Sequence, residues 1–269
     1  MAAGQEIKAW RPPVSGVVEV FHARFTEHAY PMHVHDTWTL LIVDSGAVRY
    51  DLAGEHITPH DTVTLLPPHV PHNGSPATEG GFRKRVVYLD ESRLDARFIG
   101  PAADRPDLAD PLLRRHVSRL HGALARPGDE LEAESRLVLI GDRLRGHLRP
   151  RLTTGAPPAG PPLARALREL LDARVAEGLT LDEAARLLHA HPSHLVRAFS
   201  GAYGIAPHQY LMSRRVDRAR RLLLDGMPSG RAAVAAGFFD QAHFTRHFKR
   251  TVGVTPGRFV LDGRRTRAA

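Results

Sequence analysis

Three histidines near the start of the chain have the residue type and spacing to act together. His33 and His35 are two positions apart, so on an extended strand their side chains project from the same face. His72 follows the turn Pro67-Pro-His-Val-Pro71, which can fold back toward them. Three imidazoles can hold Zn²⁺, Ni²⁺ or Fe²⁺ together with a water, hydrogen-bond an organic molecule, or satisfy one another. We favour an organic effector, contacted also by Trp38, and predict no metal ligand, no cofactor and no catalytic residue.

A segment that occurs twice carries the second group of candidate residues. Leu195–Tyr210 returns 49 residues later as Phe244–Phe259, with an apolar residue, an Arg, a Phe, a Gly, a Pro and an aromatic residue in register. Each copy predicts a short helix that ends at Gly and is followed by a helix that begins at Pro. Because one structural unit used twice constrains the fold around it, we predict two helix-turn-helix units.

A helix-turn-helix unit places its second helix in the major groove of DNA. There Arg pairs favourably with guanine and Gln with adenine, while small apolar groups meet the thymine methyl group. The predicted base contacts are the outward residues of the two second helices, namely Ser193, His194, Val196, Arg197, Gln241, Ala242, Thr245 and Arg246. Other basic residues are predicted to contact phosphates or to be plain surface, namely Arg214, Arg215, Arg218, Lys249 and Arg250. For every basic residue, a solvated surface charge is the alternative.

The positive charge of the chain is concentrated in the half that carries the repeat. The net charge is +8, to which residues 163–269 contribute +9 and residues 1–162 contribute −1. A GC-rich genome explains the preference for Arg over Lys but not this asymmetry, which favours a polyanion-binding half attached to something else. The absence of cysteine excludes disulfides and thiolate metal sites. No signal segment and no run of ~18 apolar residues is present, so we predict a cytoplasmic protein with no membrane partner.

Residues 17–90 carry the signals of strands. Short runs rich in β-branched and aromatic residues, such as Val17-Val-Glu-Val-Phe21, alternate with clusters of Gly, Pro, Asp and Asn. This pattern predicts an all-β sandwich or barrel. Residues 101–148 have apolar side chains at helical spacing and predict two amphipathic helices, the first of them capped by Asp110. These helices either cover the barrel of their own chain or pair with a second copy to give a homodimer.

Residues 149–162 contain five Pro and two Gly and predict a linker. Helices are predicted beyond it at Leu163–Glu177, Leu181–Ala190, Ser193–Tyr203, Pro207–Leu224, Ser229–Ala236, from the cap Asp240 to Val252, and from Pro256. The predicted fold class is therefore α+β with several domains. The predicted boundaries are an effector domain at 1–100, a helical extension at 101–148, the linker, an all-α DNA-binding domain at 163–262 and a basic tail at 263–269.

The histidine region resembles the cupin barrel. The first cupin motif has a His-x-His pair followed by Glu and Gly, which here corresponds to the stretch from His33 to Gly46. The second motif has Pro, a short turn and His, here Pro67–His72. In metal-binding cupins the Glu joins the histidines as a ligand, but Thr39 or Leu40 stands at its position in this chain. This departure argues against the iron or manganese enzymes of that fold.

The repeated half resembles the DNA-binding domain of AraC-type transcriptional regulators. The resemblance rests on Ala198-Phe199, Arg218–Leu224, Ala235–Phe238, Phe244–Lys249 and Gly253–Pro256, and it extends to residues 17–160, where this family often has a cupin effector domain. The family implies that two helix-turn-helix units, joined by a long helix, enter successive major grooves. Three features depart from the family's pattern: His191 replaces the usual small cap, Arg231 stands where the short helix often has Glu, and Pro-Ser-Gly occupies positions 228–230 at the start of that helix.

The leading hypothesis is a sequence-specific regulator of transcription under the control of a small-molecule effector. Its expected partners are double-stranded DNA and the effector, with RNA polymerase as a further candidate. The family more often activates, but activation and repression both stay open. The alternatives are a metal-dependent cupin enzyme fused to a DNA-binding module, and an architectural DNA binder without an effector.

Overall fold

The first part of the chain folds into two antiparallel sheets. The computed structural model describes residues 5–58, 60–149 and 162–267. The strands in these residues are β1 (Glu6–Trp10), β2 (Val17–Phe25), β3 (Tyr30–His33), β4 (Trp38–Gly46), β5 (Val48–Asp51), β6 (Glu55–Thr58), β7 (Val63–Leu66), β8 (His72–Pro76), β9 (Phe82–Leu89) and β10 (Asp107–Leu108). They form one sheet in the order β1-β2-β9-β4-β7-β10 and a second in the order β3-β8-β5-β6. The predicted β-rich domain is confirmed. Its strands form two facing sheets, and among the described residues they do not close into a single barrel.

Three helices follow the strands, namely α1 (Ile99–Asp104), α2 (Pro111–Leu124) and α3 (Glu130–Leu148). Asp110 caps α2 as predicted, because its carboxylate accepts hydrogen bonds from the backbone of Leu112 and Leu113. The apolar faces of α2 and α3 share one buried core with Trp38 and other residues of the larger sheet. The helices therefore cover their own β-domain, and the homodimer stays a prediction.

The second part of the chain is helical. Its helices are α4 (Pro162–Ala173), α5 (Leu181–Leu187), α6 (Pro192–Tyr203), α7 (Pro207–Leu224), α8 (Ser229–Ala235), α9 (Gln241–Val252) and α10 (Pro256–Arg267). No helix in the described ranges is long and apolar enough to cross a membrane. The predicted linker lies outside the described residues except for its two ends. The predicted basic tail begins inside α10, whose backbone stays helical to Arg267.

Several helix ends differ from the prediction by a few residues. The first helix stops at Ala173, and turns rather than helix lead to Gly178, which has a left-handed backbone with φ of 83°. The next ends at Leu187 rather than Ala190. Pro228, not Ser229, is the N-cap of α8, and it supplies no side-chain cap. These errors arise because a terminal turn depends on tertiary contacts as much as on local signals.

Both helix-turn-helix units form, α5–α6 and α8–α9, with α7 between them. The capping box of Thr180 and Glu183 opens α5, and the carboxylate of Asp240 accepts a hydrogen bond from the backbone of His243 at the start of α9. Gly253 ends α9 in the left-handed region, with φ of 94°. The repeated apolar positions are the anchors of the two units, and all are fully buried, namely Leu195, Phe199, Phe244 and Phe248.

The β-domain and the helical domain are packed against each other. One buried core contains Phe21 and Phe25 of β2 together with Val216 of α7 and Phe248 of α9. A Cβ added to Gly253 would lie 2.7 Å from Cε1 of Phe25, so this turn fits against the sheet only as glycine. Nothing in the sequence pattern predicts this docking, because the apolar faces of both domains would look the same without it.

Candidate nucleic-acid interface and ligand cavities

The predicted base-reading residues lie on the solvent side of α6 and α9. In α9, Phe244 and Phe248 are buried while Gln241, Ala242 and Arg246 are exposed, and Thr245 is half-buried. In α6, His194 and Arg197 are exposed and Val196 is half-buried. The backbone of Ser193 belongs to α6, but its side chain lies outside the described part of the structure. Because of the helical period, these residues lie on the face opposite the buried anchors. They are therefore accessible to DNA.

The predicted phosphate contacts divide into two groups. Lys249 and Arg250 are exposed at the end of α9. Arg214 is not available to DNA in this arrangement, because its side chain is only 13% exposed and pairs with Asp36 and Asp172 at 3.0 and 2.9 Å. The remaining two are also engaged, since Arg215 and Arg218 donate hydrogen bonds to backbone carbonyls of the helical domain.

His33, His35 and His72 come together as their spacing predicts. His33 pairs directly with His72 in the ladder between β3 and β8. The ring centroids are 4.5 Å apart for His33 and His72, 4.8 Å for His33 and His35, and 5.3 Å for His35 and His72. All three rings are buried. Burial lowers the pKa of His33 well below its ordinary value and that of His72 to about 3, so these two rings are neutral near pH 7.

The three rings line a small cavity of about 50 Å³ inside the β-domain. Thr39, Lys84 and Arg220 also line it, and Arg220 comes from α7 of the other domain. Lys84 is half-buried, with its ammonium 4.1 Å from the ring centroid of Tyr30. Burial lowers the pKa of Lys84 to about 7. Lys84 and Arg220 were not among the predicted site residues, because neither belongs to a motif of its own.

Trp38 does not join the histidines. It lies on β4 next to Thr39, and successive side chains of a strand point to opposite faces. Thr39 therefore faces the histidine cavity, whereas Trp38 packs in the core under α2 and α3 and donates a hydrogen bond to the carbonyl of Leu94 at 3.2 Å. The four predicted effector residues thus belong to two different cavities.

The second cavity is a cleft of about 960 Å³ between the domains. The β-domain contributes an apolar wall that includes Trp38, Val70 and Ile99. The helical domain contributes Tyr203 and Gly204 from the end of the first unit, and also Arg165 and Arg168 from α4. The guanidinium of Arg168 lies 5.6 Å from the ring centroid of Tyr203. An apolar cleft with two guanidinium groups at one side suits a small molecule with an apolar body and an acidic group.

A network of charged side chains joins the β-domain to α7. Asp36 accepts a hydrogen bond from Arg221 at 2.7 Å, and Asp217 accepts one from His35 at 3.0 Å. Burial alone would raise the pKa of Asp36, but Arg221 and Arg214 outweigh it and lower this pKa to about 2. Asp36 is therefore ionised near pH 7, and it holds two guanidinium groups of α7 against the β-domain.

The centre of this network is buried. Arg220 pairs with Glu19 of β2, and its side chain is 6% exposed. Burial alone would lower the pKa of Arg220, but Glu19, Tyr88 and Asp217 together outweigh burial and raise it, so the guanidinium stays charged. Removing one partner of such a pair leaves an uncompensated buried charge, which is strongly destabilising. The partners are about 180 to 200 positions apart in sequence, and no local signal connects them.

Comparison with known proteins gives matches for both parts of the chain. Residues 15–140 match the AraC-like ligand binding domain, and residues 184–261 match a helix-turn-helix domain. The uncharacterized HTH-type transcriptional regulator YbfI of Bacillus subtilis is 25% identical over 236 residues, which cover 84% of this chain and 85% of that protein. The bifunctional transcriptional activator/DNA repair enzyme AdaA of the same organism is 32% identical over 94 residues, 35% of this chain and 44% of that protein.

Among solved structures, ToxT from Vibrio cholerae has the same two-domain fold. Its complex with an unsaturated fatty acid superimposes with a TM-score of 0.55 and 11% sequence identity, covering 96% of this chain and 95% of that one. At this identity the likeness concerns the fold alone. The superposition spans both domains, which follow each other in the same order in the two proteins.

Proposed function

The chain belongs to the AraC-type transcriptional regulators, and from this membership we propose that it is a cytoplasmic protein that binds a specific DNA sequence under the control of a small effector held between its domains. The membership itself rests on the ligand-binding and helix-turn-helix matches. The specific DNA contacts, the effector site and the means of control are the proposed part. Regulation by a DNA-bound protein acts through RNA polymerase, by contact or by exclusion, and RNA polymerase is therefore the proposed downstream partner.

One observation carries the proposal for DNA. Arg197 and Arg246 occupy the same position of the two second helices, and both are exposed while their neighbouring anchors are buried. A guanidinium at this position can make a bidentate contact with guanine. The residues around them differ between the units, as in Val196 and Thr245. We therefore expect two half-sites of different sequence, about 10 base pairs apart, the spacing of successive major grooves on one face of DNA.

The cleft between the domains is the proposed effector site. An effector there would contact Trp38 and Ile99 on one side and Arg168 and Tyr203 on the other. A ligand that touches both domains stabilises the docked arrangement by its differential affinity for it. The fatty acid bound to ToxT has the chemistry that this cleft suits, an apolar body with an acidic group. A fatty acid or another apolar carboxylic acid is therefore the proposed effector class.

Control of DNA binding is proposed to act through α7. This helix joins the two units, and its Arg214, Arg220 and Arg221 are held by carboxylates of the β-domain or of the helical domain. Docking therefore fixes the helix that sets the spacing of the two reading helices. It also neutralises positive charge that would otherwise attract DNA phosphates. An effector that shifts docking would change both the spacing of the reading helices and the positive charge offered to DNA.

The proposed activity is not enzymatic. The relatives are transcriptional regulators, and AdaA, which is also a repair enzyme, matches only 35% of this chain. A metal-dependent enzyme would need a general acid or base beside its substrate. No carboxylate is among the described residues that line the histidine cavity, and Glu19 and Asp217 are paired with Arg220 and His35.

Selection of bound DNA from a random pool tests the proposal. The full chain is expected to enrich a motif with two unlike halves. Separate Arg197→Ala and Arg246→Ala variants, each selected in the same way, should lose preference in one half only. Arg126, an exposed residue in the turn between α2 and α3 that pairs with Asp129, provides the control Arg126→Ala. Failure of the full chain to enrich any motif would refute the proposed function.

A further inference from the structure

The three buried histidines lie close enough together to bind one ion. One ligand atom from each of His33, His35 and His72 lies within 4.8 Å of the other two. The rings come from two neighbouring strands and the loop after β3, so the backbone ladder fixes their separation. A group of three imidazoles at this spacing can close on one ion after small side-chain rotations.

The hydrogen bonds of the rings fix which nitrogen is free to bind. Nδ1 of His33 lies 2.7 Å from the carbonyl oxygen of Pro31, and Nδ1 of His72 lies 3.0 Å from that of Val70. A carbonyl oxygen can only accept, so each Nδ1 carries the hydrogen and donates it. The lone pair of each neutral ring is then on Nε2. This is the tautomer that a protein uses when Nε2 binds a metal and Nδ1–H is held by the surrounding structure.

His35 follows the same rule with a different partner. Its Nδ1 lies 3.0 and 3.2 Å from the two carboxylate oxygens of Asp217, and both residues are buried. A carboxylate that accepts from the outer nitrogen of a histidine orients the ring and makes Nε2 more basic. Asp217 belongs to α7 in the DNA-binding domain, whereas the three histidines belong to the β-domain. The partner that positions the third ring therefore comes from the other side of the domain interface.

The cavity has room to complete the coordination shell. Its volume of about 50 Å³ exceeds the roughly 10–15 Å³ that one water needs. Thr39 also lines the cavity, and its buried Oγ1 has no hydrogen-bond partner among the described residues, so it can bond to such a water. Lys84 and Arg220 also line the cavity and add positive charge to it. Glu19 and Asp217 pair with Arg220 and offset part of that charge.

We propose that His33, His35 and His72 bind a divalent transition-metal ion through Nε2, with Zn²⁺ as the best match, and that Asp217 links this site to the docking of the DNA-binding domain. Three neutral nitrogen ligands with an open fourth position suit Zn²⁺, Ni²⁺ or Co²⁺ and not Mg²⁺ or Ca²⁺, which require oxygen ligands. Linkage is reciprocal, so an ion that strengthens the His35–Asp217 contact is itself bound more tightly when the domains are docked. This inference departs from the absence of a metal predicted from the sequence, and it does not depend on the proposed DNA sequence or effector.

Titration of the chelator-treated full chain with Zn²⁺ tests the site, with Mg²⁺ as the negative control. We expect one equivalent of Zn²⁺ to bind per chain, and Co²⁺ in its place to give the visible spectrum of a four-coordinate ion rather than that of the hydrated ion. His72→Ala should lose this binding at least 100-fold. His60→Ala should retain it, because His60 is exposed and outside the cluster. Circular dichroism confirms that each variant is folded.

The outcomes are distinct. No saturable binding by the full chain, or a Co²⁺ spectrum of the hydrated ion, overturns the metal site even if His72→Ala does not fold. Equal affinities of the His72→Ala and His60→Ala variants overturn it as well. For the link between the domains, Asp217→Asn should weaken Zn²⁺ binding about 10-fold with unchanged stoichiometry. Asp225→Asn is the matched control, since Asp225 caps the same helix but pairs with the exposed Arg11. Equal affinities of these two variants overturn the link.

Discussion

Asp36 offers the sharpest test of how the two domains are held together. Its carboxylate lies 2.7 Å from Arg221 and 3.0 Å from Arg214, and its side chain is 18% exposed. The pKa of Asp36 falls from 3.8 to about 2 in the folded chain. A difference of roughly two pKa units corresponds to ~2–3 kcal/mol in favour of the ionised form. Because Asn resembles the neutral acid, Asp36→Asn is expected to lower the free energy of unfolding by about 2 kcal/mol at pH 7.

Urea unfolding of the full chain measures this change, and a double-mutant cycle assigns it. Arg221→Gln alone and together with Asp36→Asn gives the coupling energy of the pair, expected at ~1–2 kcal/mol because Arg214 retains Asp172 as a partner. Glu79→Gln is the control, since Glu79 is an exposed carboxylate. If Asp36→Asn costs no more than this control, or if the cycle gives no coupling, the carboxylate does not hold α7 and the reasoning about docking is wrong.

Three further predictions concern the turn after α9, acid stability and salt dependence. Gly253→Ala should destabilise the chain by ~1–3 kcal/mol in urea unfolding, because of its left-handed backbone and its close approach to Phe25, whereas Gly257→Ala, with open space around it, should not. Burial lowers the pKa of His22 to about 4, so as the pH falls this side chain is protonated in the unfolded chain before it is protonated in the folded chain. The free energy of unfolding should therefore fall from pH 6.5 toward pH 4, and it should fall less steeply in His22→Gln. An unchanged slope in this variant would contradict the prediction. Lys249→Ala should weaken DNA binding and reduce the slope of log affinity against log salt by about 0.9, and an unchanged slope would remove it from the phosphate contacts.

Local features of the fold could be predicted well. Asp110 and Asp240 were identified as helix caps, and Gly253 as a helix end, because each of these depends on hydrogen bonds within a few residues. The repeated pattern likewise predicted the buried anchors of both units, of which Phe199 and Phe248 are examples. In these places the sequence period alone decides which side chains are inside.

The histidine site was predicted in part. The spacing of His33 and His35 placed their rings on one face, and the Pro-rich turn returned His72 to them. Trp38 is also among the predicted effector residues, but strand alternation directs Thr39 to this cavity instead. A strict count of the two-residue period through β4 would have made this choice from the sequence.

The contacts between the domains could not be predicted. His35 and Asp217 are 182 positions apart, and Asp36 and Arg221 are 185 apart. Charged residues on an amphipathic helix are as compatible with solvent as with a partner, so the pattern of α7 indicates its polar side without indicating what covers it. Arg214 shows the consequence, since the charge that suggested a phosphate contact is neutralised by carboxylates of both domains.

The central claim is that two unlike helices read two parts of one DNA site, and a cycle between protein and base pairs tests it most directly. Affinities of the full chain, Arg197→Ala and Arg246→Ala are measured for the selected motif and for versions with single base pairs replaced. Each variant is expected to lose ~1–3 kcal/mol on the intact motif and to become indifferent to one base pair, a different one for each Arg. Uniform weakening on every sequence by both variants would contradict base reading by these helices.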